Sequence, residues 1–204
     1  MTVYWVRHGQ TDSNRERVVQ TPDTPLSSLG HQQAQLLANA YKNADIGLIL
    51  CSDHMRTQQT AAPLHEALNC QIEYTELLQE RSFGSLRGQP YDSIQEDFFA
   101  KDYHPPQGES HPQFVKRVFD AWDLVLNKST KTQSDVLVMT HGLVLRVIFA
   151  EIFGLKETEI QRLGFENTCV TSISKTSPWQ TRLLCNVDHL DCLSDPESVE
   201  QGAV

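Results

Sequence analysis

The chain has 204 residues, enough for one domain around one sizeable core. Its apolar share of 39% and charged share of 21% are those of a soluble globular protein, and no run of about 18 apolar residues that could cross a membrane is present. The formal net charge of −9 argues against broad binding to nucleic acid or to anionic membrane surfaces, but not against a small anion held by local arginines.

In chain order, residues 2–7 read as a first buried strand that ends in Arg7-His8-Gly9. "LSSLGHQQAQLLANAYKN" carries Leu29, Ala34, Leu37, Ala38 and Tyr41 at helical spacing, with Ser28 as the expected N-cap. "IGLILCS" (46–52) reads as a second buried strand. "MRTQQTAAPLHEAL" reads as a helix that Pro63 kinks or breaks. "QIEYTE" (71–76) is a short strand. From 82 to 112 the pattern dissolves into Gly, Pro, Ser and aromatics; Tyr91, Phe98, Phe99 and Tyr103 predict a packed lid. Ser110 and Gln113 make a capping box for the helix "PQFVKRVFDAWDLVLN". "DVLVMTH" (135–141) is a strand and "GLVLRVIFAEIFG" an apolar helix ending at Gly154. "TCVTSISK" and "TRLLCNV" read as alternating strands, and the acidic tail over 193–204 is expected to be mobile. Alternating helices and strands predict an α/β fold, a three-layer sandwich with a mainly parallel central sheet flanked by helices, as a single domain over 1–192.

The cysteines are Cys51, Cys70, Cys169, Cys185 and Cys192. The odd count without a C-x-x-C pair argues against a disulfide framework or a zinc site, and most read as small core residues. With no secretory signal read at the N-terminus, this predicts a cytoplasmic location.

Two strands end alike, in His8-Gly9 and His141-Gly142. Ligands of open α/β sheets bind beyond the carboxyl ends of the strands, so if the two strands are neighbours both imidazoles reach one crevice. Glycine there lets a backbone N–H approach a ligand, and Gly142 also opens a helix, whose N-terminus favours anions. A third strand leads into "DHMRTQQTA" with Arg56 just inside a helix start. Two arginines, two histidines and a helix N-terminus around one point predict a pocket for a dianion such as phosphate.

The chain resembles the histidine phosphatase superfamily, the fold shared by cofactor-dependent phosphoglycerate mutases and many phosphatases. The resemblance runs from about Thr2 to Leu190 and rests on "RHGQTDSN", "SDHMRTQQTA", "QERSFGSLRG", "PPQGES" and "THGLVLRVI" in the family's order, with "ENTCVTSI" and "NVDHL" in support. It implies that His8 is a nucleophile that becomes a phosphohistidine, that Arg7, Arg56 and His141 hold the phosphoryl oxygens, and that Glu80 is the proton donor. Asn14 and Gln20 match phosphate-contacting positions, and the Gly142 N–H could add a donor. Thr21 stands where many members carry glycine after the glutamine. Arg146 and Arg81 are assigned no role: Arg146 is expected on a helix away from the pocket mouth. Glu76 is the nearby alternative to Glu80.

The expected activity is a phosphatase of small phosphate monoesters, needing neither metal nor other cofactor. The segment after "ERSFGSLRG" is shorter than the arginine-containing insert of the glycolytic mutases, and "PPQGES" resembles the short phosphatase branch. A phosphoglycerate mutase is the alternative enzyme, and a non-catalytic phosphate-binding or interaction module the alternative of another class. Arg87 and the lid aromatics are the candidates for choosing the substrate; the oligomeric state is left open.

Overall fold

Three apolar strands run side by side with their carboxyl ends together. These are β1 (Thr2–Arg7), β2 (Ile46–Ser52) and β4 (Asp135–Thr140), and they are buried almost throughout. In the computed structural model, which describes residues 2–174 and 180–193, they form the centre of a six-stranded sheet in the order β3-β2-β4-β1-β5-β6. The outer strands are β3 (Gln71–Thr75), β5 (Val170–Ser174) and β6 (Thr181–Asn186). β3, β2, β4 and β1 are parallel; β5 pairs antiparallel with β1, and β6 with β5.

Strand periodicity divides the core in two. Val3, Trp5, Leu50, Val136 and Val138 face one side, against Phe114, Val118 and Trp122 of α4 (His111–Lys131) and Val144 and Leu145 of α5 (Gly142–Val147). Val6, Ile49, Leu137 and Met139 face the other, against Leu37 and Ala38 of α2 (Ser28–Tyr41) and Ala61 and Leu64 of α3 (Met55–Leu68). Helices cover both faces, which is why these strands read as continuous apolar runs. This is the three-layer, mainly parallel α/β sandwich expected from the sequence. A third cluster joins Val19, Phe83, Leu86 and Phe98 with Tyr91, Phe99, Tyr103 and Leu143, so the segment after β3 packs over the ends of the parallel strands.

Several local details differ from the sequence reading. The N-cap of α2 is Ser27, not Ser28: Ser27 has extended backbone and its Oγ accepts the Gly30 N–H at 3.1 Å. Pro63 does not end α3, because Thr60, Ala61 and Leu64 are buried on either side of it and packing holds the helix through. The apolar helix after His141 is α-helical to Val147 and π-helical over Ile148–Ile152, before Gly154 at φ +69°. β6 does not alternate: Thr181–Leu184 are all exposed on the sheet edge. A four-residue helix, α1 (Asp12–Arg15), breaks the loop after β1 and carries a Thr11–Asn14 capping box. The Ser110–Gln113 capping box forms as expected. Cys51 and Cys169 are buried, Cys70 and Cys185 half-buried and Cys192 exposed. The tail from 194 lies outside the described residues.

The loop after His8 is locked to α2 through backbone contact. A Cβ on Gly9 would stand 2.7 Å from the Gly30 carbonyl oxygen, and one on Gly30 2.0 Å from that of Gln10. The Gln10 N–H donates to Gln33 Oε1 at 2.8 Å and Ser27 N–H to the Gln10 carbonyl at 2.9 Å. Gly9 therefore serves this contact, not a ligand as its position suggested; its N–H is taken by Thr60 Oγ1 at 2.9 Å.

Candidate active site

The sheet register brings the two histidines together. Arg7 pairs with Thr140, so His8 and His141 leave adjacent strands at the same level, their ring centroids 5.2 Å apart. His8 is 2% exposed. Its backbone N–H donates to the Thr140 carbonyl at 3.0 Å, and its carbonyl accepts from Asn167 Nδ2 at 3.0 Å and from Thr168 N at 3.3 Å. Its Nδ1 lies 2.7 Å from the Gly9 carbonyl oxygen. A carbonyl only accepts, so Nδ1 carries the proton and Nε2 keeps its lone pair. Burial, with Arg56 and Arg7 close by, drives the His8 imidazolium well below its ordinary range, so the ring is neutral at pH 7.

His141 lies behind His8, fully buried, with Nε2 2.9 Å from Ser52 Oγ at the end of β2. Burial and the Arg56 charge also hold it neutral. A third imidazole, His54, stacks edge-on to His141 at 5.0 Å. Its Nδ1 accepts from Arg56 Nη2 at 3.2 Å, and burial pushes it down to about 3.

The two arginines are buried and fixed by backbone oxygens. Arg7 Nη1 donates to the Phe165 carbonyl, and Arg56 Nη1 to the Thr21 carbonyl at 3.0 Å. Burial lowers Arg56 to about 10, which leaves it charged at neutral pH. Glu80 faces them. Its Oε1 accepts the Arg81 N–H at 3.0 Å and its Oε2 the Leu143 N–H at 3.1 Å, in the first turn of α5. Burial raises its carboxyl above the usual range, against those two N–H groups and the arginines.

These groups enclose a pocket of about 30 Å³. Of the residues singled out from sequence, Arg7, His8, Gln20, Arg56 and Glu80 line it; Asn14, His141 and Gly142 do not. The Asn14 carboxamide oxygen caps α1 by accepting from Thr11 N–H and Oγ–H. Gln20 Oε1 lies 3.1 Å from the same hydroxyl, whose single proton it shares with Asn14, and Gln20 lines the pocket. Gly142 opens α5. The lid adds Arg87 and Tyr91, and Arg81 also lines the wall; Arg146 lines a neighbouring cavity instead. Glu109 is bound by Arg117, with both Nε and Nη2 at 2.7 Å, and Glu76 lies in a 3₁₀ turn off the pocket. Ser52, His54 and Asn167 were not picked out from sequence, although they stand inside "SDHMRTQQTA" and "ENTCVTSI".

The sequence profile of the histidine phosphatase superfamily (branch 1) matches residues 3–186, and the chain belongs to that superfamily of enzymes. It is 31% identical over 207 residues to the "Probable phosphoglycerate mutase GpmB" of Escherichia fergusonii, covering 94% of this chain and 95% of that one. The protein of the same name from Yersinia pestis is 32% identical over 190 residues, covering 88% and 87%. Among solved structures, Bacillus stearothermophilus YhfR superposes with a TM-score of 0.81 at 24% identity, over 93% of this chain and 99% of the other. A mycobacterial glucosyl-3-phosphoglycerate phosphatase superposes with a TM-score of 0.76 at 22% identity, over 91% and 99%. At these identities the two structures show the shared fold alone. Among the described residues, no helix is long and apolar enough to cross a membrane, and no three His, Cys, Asp or Glu side chains gather as a metal site.

Proposed function

We propose that the protein hydrolyses small phosphate monoesters in two steps, with His8 as the phosphoryl acceptor and Glu80 as the proton donor. The observation that carries this reading is one pocket wall holding a neutral imidazole, with its proton fixed on Nδ1, and a buried carboxyl opposite. Substrate phosphate lies between Arg7 and Arg56, which offset its charge as the P–O bond loosens. The His8 Nε2 lone pair forms the P–N bond; the P–O bond to the alcohol breaks, and its electron pair takes the proton of Glu80. In the second step water attacks phosphorus, Glu80 accepts the water's proton, the P–N bond electrons return to His8, and inorganic phosphate leaves. His141, Asn14 and Gly142 have a supporting part here: His141 backs the His8 ring, Asn14 holds Thr11 and through it Gln20, and Gly142 begins the helix whose next N–H meets Glu80.

The mutase is the second reading, favoured by the printed names of the curated relatives. The two part at the phosphoenzyme, which a hydrolase gives to water and a mutase to a second hydroxyl. Single-turnover reaction with 3-phosphoglycerate and with simple alkyl phosphates, followed for released phosphate and for 2-phosphoglycerate, separates them. The hydrolase releases phosphate in excess, whereas fast isomerisation dependent on 2,3-bisphosphoglycerate would overturn it. His8→Ala, folded as judged by circular dichroism, should show no turnover and no acid-labile phosphoprotein; substantial activity would remove His8 from its role.

A further inference from the structure

The first pocket is small, about 30 Å³. It takes the phosphoryl group at most, so the alcohol part of an ester must lie outside it. A second cavity of about 210 Å³ adjoins it, and Arg81 and Leu143 line both. Those are the two residues whose backbone N–H groups hold the Glu80 carboxylate. Glu80 lines the smaller pocket and is held by the two residues that the larger cavity shares with it, the side on which a departing alcohol would need a proton.

The larger cavity differs in chemistry from the smaller. Phe99, Phe114, Val147, Ala150 and Ile160 give it an apolar wall. Lys101, Arg146, Glu151 and Glu157 give it charged groups; with Arg81 these are three cations against two carboxylates, and His111 adds an imidazole. Arg146 is the unusual one. Its guanidinium lies 4.9 Å above the Phe165 ring, its Nε is buried without a hydrogen-bond partner, and no acid lies within ion-pair distance of it among the described residues. A half-buried cation with donors unspent on the protein points to an acceptor from outside. The cavity is below the roughly 300–1,000 Å³ of pockets for drug-sized ligands, which sets a small guest.

We propose that this cavity receives the alcohol part of the substrate, and that the substrate is a phosphate monoester of a small, largely apolar alcohol whose far end bears an acceptor, best a carboxylate, for Arg146. The assignment rests on the hydrolase reading above for its chemistry, but binding tests it separately. The probes are methylphosphonate, butylphosphonate and 4-carboxybutylphosphonate, which carry no ester bond to hydrolyse. Their affinities are measured by calorimetry relative to inorganic phosphate, on the full chain and on the variants Ala150→Phe and Arg146→Gln. The corresponding phosphate esters are assayed for kcat/KM.

Each methylene entering the apolar wall is worth about fourfold in affinity, the equivalent of ~0.8 kcal/mol, so butylphosphonate should bind at least about tenfold more tightly than methylphosphonate. The terminal carboxylate should add about threefold or more. In Ala150→Phe, which fills the cavity, the butyl-to-methyl ratio should collapse to about one. In Arg146→Gln the length effect should remain and the carboxylate effect disappear. Equal binding of methyl and butyl probes, or an undiminished ratio in Ala150→Phe, overturns the cavity assignment even if the esters are hydrolysed. The expected binding pattern with no ester hydrolysed, and no phosphate on His8, leaves the assignment standing and overturns the hydrolase reading. If Ala150→Phe does not fold, Ala150→Leu and the length series on the unaltered chain decide.

Discussion

Glu80 Oε2 accepts the backbone N–H of Leu143 at 3.1 Å, which ties the carboxyl to the helix that begins one residue after His141. A helix N-terminus is a ready anion site, and here part of it is already spent on a side chain of the same protein. The side chains that can meet a substrate anion from the pocket wall are Arg7, Arg56, Gln20, Arg81 and Arg87, while Gly142 does not line it.

Glu80→Gln keeps the size of the side chain and cannot deliver a proton. It should slow phosphoenzyme formation from alkyl phosphates by roughly 10²–10⁴-fold, since an alkoxide needs the proton, and that from p-nitrophenyl phosphate far less. Single-turnover kinetics excludes the water step. Equal slowing of both esters would remove Glu80 as the leaving-group acid.

The pH profile follows from the two opposed shifts. His8 loses its proton well below its ordinary range, so kcat/KM should not fall on the acid side until the pH is far under 6.5. Glu80 is raised, and its proton is lost as the pH rises through that pKa. For alkyl phosphates this gives a falling alkaline limb; for aryl phosphates the limb should be weak, and in Glu80→Gln absent. An alkaline limb that survives Glu80→Gln unchanged belongs to another group.

His54 accepts from Arg56, which lines the pocket, but does not line the pocket itself, so it is a positioning residue. His54→Phe should free one end of the Arg56 guanidinium and lower kcat/KM by roughly 10–100-fold, the worth of a hydrogen bond to a charged group. The loss should be equal for alkyl and aryl esters, because Arg56 serves the phosphoryl group common to both. A merely structural effect would appear in Tm and leave inorganic phosphate affinity unmoved.

Acid should destabilise the fold through its buried histidines. His8 and His141 lie well below 6.5, His54 at about 3 and His189 at about 4, all chiefly through burial. Below pH 6.5 the unfolded chain takes up protons that the native state refuses, so the stability these groups give is present above 6.5 and lost as the pH falls toward the lowered values. Glu80 and Glu166 are raised above the ordinary carboxyl value and act in the opposite sense. Denaturant midpoints should therefore fall steadily from pH 6.5 to 5, and less steeply in His54→Phe. A flat midpoint over that range would contradict the burial of these rings.

The strand ends were legible because a buried parallel strand is a continuous apolar run and the residue after it is abruptly polar, as in "VYWVRHG" and "VLVMTHG". Their adjacency was not, since the register that sets Arg7 against Thr140 is a long-range pairing with no local signal. Asn14 was singled out from its place in a motif; that its oxygen caps α1 is a use that spacing of three residues from Thr11 already allows. His54 escaped notice because its function is expressed through Arg56, two residues on, whose charge drew all the attention. The π-helical turn after Val147 leaves the same apolar pattern as an α-helix and cannot be told from it by periodicity.

The contact between Gly9 and Gly30 has a consequence for what this enzyme can become. Gly30 lies in a helix, where exchange for alanine would ordinarily gain about 1 kcal/mol, yet its missing side chain is filled by the Gln10 backbone. A library saturated at positions 9 and 30 should return glycine alone at both. With the backbone beside His8 fixed at position 9, the wall that remains open to variation includes Val19 and Gln20 and the far side of the pocket, where the lid meets α5.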